Sequence, residues 1–69
     1  MTFQISEFRK GNKMAVLEVD KTGVYRAMKG YVVDGCVLKV EREHCTSIEN
    51  TAKSTFNRYK REIEEESKF

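Results

Sequence analysis

Tyr31-Val32-Val33-Asp34-Gly35-Cys36-Val37-Leu38 is the stretch that decides how this chain folds. Asp-Gly between two β-branched runs is the strongest short-range signal for a hairpin. Both central residues of a type I′ turn need φ > 0, which Asp tolerates and Gly adopts freely. A two-residue turn at Asp34-Gly35 sets Val33 opposite Cys36 and Tyr31 opposite Leu38. Tyr31, Val33, Cys36, Leu38 and Val40 then share one face of a sheet, because side chains alternate along a strand.

On the N-terminal side of this hairpin two further turns stand out. Asp20-Lys21-Thr22-Gly23 has Asp where a type I turn favours it and Gly where a left-handed bulge residue is needed, and Lys10-Gly11-Asn12 is another break. The turns divide the first part of the chain into strands over residues 2–8, 13–19, 24–33 and 36–42. Connections this short make them an antiparallel meander. Gly30 falls inside the third strand, where it marks either a bulge or a second break.

C-terminal to the hairpin the period changes from two to between three and four. Ile48, Ala52, Thr55, Phe56, Tyr59 and Ile63 form one stripe of an amphipathic helix over about residues 47–66. Thr46, three residues before Glu49, has the spacing of a capping box. At 1.5 Å per residue this helix is about 30 Å long, enough to cross one sheet face. The expected fold is α+β, ββββα, a single domain over residues 1–69 with the helix packed on one face of the sheet. Ala15, Leu17 and Val19 add to the helix-facing core.

One helix covers one face, and the other is expected to carry Met14, Val16, Met28, Val32 and Val37. A contiguous apolar patch on an uncovered sheet marks an association surface. The chain has 69 residues, and a domain of that size buries only about 60% of its unfolded surface and is correspondingly marginal. Burial against a second copy would add stability, so a homodimer or a protein partner is expected.

Basic residues raise a nucleic-acid alternative. Thirteen Lys+Arg against eleven Asp+Glu give a net charge of +2, and the pI of about 8.6 falls short of the strongly basic range of nucleic-acid domains. Two local groups remain, a basic hairpin of Arg9, Lys10 and Lys13 and a helix side with Lys53, Asn57, Arg58 and Arg61. The alternative reading is a small DNA- or RNA-binding module built from these seven residues.

Catalytic and metal-binding patterns are weak. His44-Cys45 juxtaposes a base and a nucleophile, but chain neighbours point in different directions, and there is no second His. Cys36, His44 and Cys45 lack the paired spacing of structural zinc ligands. An extended segment between Cys36 and Cys45 separates them by about 20 Å or more, too far for a disulfide. Glu62 and Glu64-Glu65-Glu66 read as a solvated helix surface that opposes the helix dipole, with fraying expected after Glu64. No site for a cofactor, metal or small-molecule substrate is expected, and no enzyme.

The longest apolar run, Met14-Ala15-Val16-Leu17, is far shorter than the roughly 20 residues of a membrane span. Residues 1–7 lack the basic and apolar regions of a secretory signal, so a cytoplasmic location is expected. Small size, mixed charge and the absence of a catalytic constellation suit an inhibitor or adaptor of the kind found in phages and mobile elements.

Overall fold

In the computed structural model, which describes residues 2–35 and 37–66, four antiparallel strands form one open sheet in the order β1-β2-β3-β4. The strands are β1 (Thr2–Lys10), β2 (Lys13–Asp20), β3 (Tyr25–Val33) and β4 (Val37–Thr46), and the C-terminal helix α1 spans Glu49–Glu66. The fold is the expected ββββα. Helix α1 lies chiefly over β2 and β3. Ala15, Leu17 and Ala27 from these strands meet Ala52, Phe56, Tyr59 and Ile63 from the helix, with Phe8 and Tyr25 packed at the margin. Ile48, expected in the helix stripe, is exposed because the helix begins after it.

The Asp20 turn forms as its residues dictate. Gly23 N–H donates to the Asp20 carbonyl at 3.1 Å, and Gly23 takes φ +88°. The Asp20 carboxylate accepts from the backbone N–H of Thr22 at 2.9 Å and of Val24 at 3.1 Å, and from the Thr22 hydroxyl. The hydroxyl bond first, then the backbone bonds, hold the Asp20 pKa below its ordinary value.

At the Asp34-Gly35 turn the dihedrals are as expected and the register is not. Asp34 and Gly35 have φ +54° and +79°, yet Val33 pairs with Val37 and Val32 with Leu38. Three residues, 34–36, therefore lie between the paired strand ends instead of two. A one-residue slip exchanges the faces of a strand. Leu38 and Val40 leave the helix side, where they were expected, and Val37 takes their place. Cys36, also expected on that face, lies outside the described residues.

The slip is confined to the first part of β4. Lys29 pairs with Arg42 while Gly30 pairs with Val40, so Glu41 is an extra residue and β4 is bulged there. Beyond the bulge Arg42, His44 and Thr46 lie opposite Lys29, Ala27 and Tyr25, on the helix side. Gly30 thus sits in one continuous strand, opposite a bulge on its neighbour. A Cβ on Gly30 would collide with the Lys39 carbonyl oxygen and come within 2.8 Å of its carbon and 3.0 Å of the Val40 Cα. Edge strand β1 has its own bulge at Ile5, between Gln4 and Ser6.

The strand-to-helix junction also departs from expectation. β4 continues to Thr46 instead of ending at Arg42, and Thr46 pairs with Tyr25. The Thr46 hydroxyl accepts the Ile48 N–H at 3.1 Å, and the first helical bond runs from Ala52 N–H to the Ile48 carbonyl. No capping box forms among the described residues: the helix opens at the Ile48 carbonyl, so Thr46 lies two residues before the N-cap, and Glu49 is engaged elsewhere. Its carboxylate accepts the Tyr25 hydroxyl at 2.8 Å and the Lys53 ammonium at 3.1 Å. These bonds hold the Glu49 pKa down, the Tyr25 bond most, and raise that of Tyr25.

Candidate interaction surfaces

Cross-strand partners share a face, so the register arranges the side of the sheet away from α1 in rows. One row is Val32 with Leu38, and the next runs Arg9, Met14, Gly30, Val40. Below them lie Glu7, Val16, Met28, Glu43 and then Gln4, Glu18, Arg26, Cys45. Met14, Val16, Met28, Val32, Leu38 and Val40 therefore form one apolar block, bordered by Arg9 and Glu7 on β1 and by Glu43 on β4.

Four of the five residues expected in this patch are in it. The fifth, Val37, is 54% exposed on the helix side, opposite Val33, for the register reason given above. Leu38 and Val40 take its place; Leu38 is half-buried and Val40 is 42% exposed. Neither was legible as a patch residue, since that requires the three-residue loop. Val16 and Met28, expected on an uncovered face, are only 4% and 8% exposed although no helix among the described residues lies on this side. The accessible part of the block is therefore its upper half around Met14, Val32, Leu38 and Val40.

The lower half is polar and internally paired. Glu18 and Arg26 form an ion pair at 3.7 Å, and the Gln4 amide donates to Glu7 at 2.8 Å. The Cys45 thiol donates to Glu43 at 3.9 Å, and bonding with Cys45 followed by the charge of Glu43 raises the Arg26 pKa. Cys45 is a free, exposed thiol. His44 pairs with Ala27 and Cys45 with Arg26, which places the two on opposite faces of β4 and precludes a dyad between them.

The basic residues do not assemble as one surface. Arg9 points to the open face and donates to the Gly11 carbonyl at 3.3 Å, whereas Lys10 and Lys13 point to the helix side. Lys13 is engaged with Glu41 at 3.2 Å and Glu66 at 3.8 Å. On α1, Lys53 pairs with Glu49 and the Arg58 guanidinium lies 5.7 Å from the Tyr59 ring centroid, while Asn57 and Arg61 are exposed. The acidic end of the helix, not its basic stretch, adjoins the hairpin.

Two glutamates of that acidic end, Glu62 and Glu66, anchor the helix to the sheet, while Glu64 and Glu65 are exposed as a solvated surface would be. Lys29, 6% exposed, bonds to Glu66 at 2.8 Å and Glu62 at 3.1 Å, and Arg42 reaches Glu62 at 3.8 Å. Burial works against the Lys29 ammonium, but the bonds to Glu66 and Glu62 outweigh it and its pKa lies above the ordinary value. The same contact with Lys29 lowers the pKa of Glu66. The cations that offset the unfavourable acidic helix end come from the sheet, and α1 runs to Glu66 without the expected fraying. Lys29, Arg42, Glu62, Glu65 and Glu66 line an open cleft of about 560 Å³ filled with these opposed charges.

Among the described residues, no helix is long and apolar enough to cross a membrane. No protein-family model, curated protein or solved structure matches the chain, so the geometry alone bears on what it does.

Proposed function

We propose that the chain is a small non-enzymatic binding protein, an inhibitor or adaptor, that acts by laying the open face of its sheet against a protein surface, in the first instance that of a second copy. The observation that carries this reading is the apolar block of Met14, Val16, Met28, Val32, Leu38 and Val40 on a face that no element among the described residues covers. Association through the strand edges is disfavoured by the fold itself. Both edge strands, β1 and β4, are interrupted by bulges and carry charged side chains, devices that blunt edge pairing.

Packing the whole face would bury roughly 500 Å² per copy, taking strands about 4.8 Å apart and about 28 Å long. This is at the low end for a specific interface, so the dimer is expected to be weak and concentration dependent. Sedimentation velocity across the micromolar range tests it. Leu38→Asp and Val40→Asp, both at accessible positions, are expected to leave only monomer, and Val37→Asp on the other face to dimerise like the parent. A parent chain that stays monomeric throughout would remove self-association, and equal behaviour of Val37→Asp and Val40→Asp would remove this face. The alternative, a nucleic-acid surface uniting Arg9, Lys10 and Lys13 with Lys53, Asn57, Arg58 and Arg61, is less well supported because the acidic turn lies between its halves.

A further inference from the structure

The helix side of the sheet carries a charged row at the end where α1 stops. Lys10 pairs with Lys13, Lys13 with Tyr31 and Tyr31 with Lys39, so one row across all four strands reads Lys-Lys-Tyr-Lys. At about 4.8 Å per strand it is roughly 14 Å long. Arg42 lies in the adjoining row, opposite Lys29. Lys10, Lys39 and Arg42 are exposed, and Lys13 and Tyr31 are half-buried.

Like charges placed directly opposite on neighbouring strands destabilise a sheet, and Lys10 faces Lys13 in that way. The folded chain meets this with partial counter-charge. Glu41 and Glu66 reach Lys13, and the Lys13 ammonium sits 5.6 Å from the Tyr31 ring centroid. These pairs are between substantially exposed groups, where an ion pair is worth little and is readily exchanged. Lys29, by contrast, is buried under its glutamates and stays with them.

We propose that Lys10, Lys13, Lys39 and Arg42 form a phosphate-binding row around Tyr31 that takes single-stranded nucleic acid, with a base stacked on the Tyr31 ring. The aromatic group at the middle of the row decides the ligand. A flat ring among cations suits unpaired bases, every one of which has a π-face. An acidic peptide offers carboxylates to the cations but has no base to lay on the ring. Glu66 is then an internal competitor for Lys13, and Glu62 for Arg42. This inference uses the opposite face from the proposed protein interface and stands independently of it.

Fluorescence anisotropy of labelled oligothymidine of about 12 nucleotides, between roughly 20 and 200 mM salt, tests the assignment. Binding is expected at low salt and to weaken steeply as salt rises. Lys10→Glu combined with Lys39→Glu, both at exposed positions, should weaken it at least ten-fold and reduce the log–log salt slope by about 1.4, or about 0.7 for each lost contact. Tyr31→Ala should weaken binding roughly ten-fold with the slope unchanged. Glu66→Gln should tighten it a few-fold. Circular dichroism establishes that each variant is folded. The assignment is overturned by absence of binding at the lowest salt, by binding that survives Lys10→Glu/Lys39→Glu and is lost in Arg58→Glu/Arg61→Glu, or by polyglutamate competing as well as the oligonucleotide.

Discussion

Gly30 was recognisable in the sequence as an irregularity, but which irregularity it served was not. The residue takes no unusual φ; what it provides is space for the β4 backbone. The information lies in Glu41, an unremarkable acidic residue eleven positions away, and nothing in the local sequence links the two. Gly30→Ala would press a methyl group against the Lys39 carbonyl and the Val40 Cα, which are backbone atoms and cannot swing aside. The expected loss is about 3 kcal/mol, at the upper end for overpacking and a large part of what a domain of this size possesses. Urea denaturation checks it. Lys29 was likewise visible only as one more cation, because its significance depends on helix residues more than thirty positions further along the chain.

The existence of four strands and a helix was legible because each has its own period and each turn its own residues. Element ends were less so. Glu43, His44, Cys45 and Thr46 fall beyond the expected strand end at Arg42, yet they belong to β4, an edge strand whose side chains are mostly in water. The hairpin dihedrals followed from Asp-Gly, whereas the number of residues in the loop is set by how whole strands pair. The helix-to-sheet ion anchor follows from docking and carries an asymmetry that can be measured. Glu62→Ala/Glu66→Ala removes both acidic partners of Lys29 and strands a buried ammonium. A loss of about 2 kcal/mol is expected, reduced from that of a fully buried pair because the glutamates are partly exposed. Lys29→Met leaves two glutamates that water can reach, and should lose less than about 1 kcal/mol. Equal shifts in the urea midpoints of the two variants would contradict this account of the anchor.

For the molecule as a whole, charge pairing determines the response to pH. Asp20, Glu49 and Glu66 have pKa values below their ordinary 3.8, 4.5 and 4.5, so each favours the folded state when ionised. That contribution is complete above the unfolded values and is lost as pH falls through the lower folded ones. Lys29 has the opposite sign: its raised pKa contributes stability below 10.5 that disappears as pH rises through the folded value. The thermal midpoint is therefore expected to fall as pH drops below about 4.5, and Glu66→Gln should make that acid limb shallower. An acid limb equally steep in Glu66→Gln would show that Glu66 has no part in it. The two faces of the sheet also differ in kind. One carries an apolar block and the other a row of lysines, and four of the six patch residues could be placed from sequence while the row, which crosses three separate pairings, could not.

The bulge makes β4 one residue longer than its partner requires. Removing Glu41 would let Arg42 follow Val40 in regular alternation and would keep every other side chain of the strand on its present face, since the two registers differ by that one residue. A deletion within a strand, ordinarily among the most disruptive of changes, should thus be tolerated here. It should also draw the β4 backbone away from Gly30, so that Gly30→Ala is much less damaging in the shortened chain than in the parent. The spare residue and the missing side chain are two halves of one compensation, and a family of related chains should gain or lose them together.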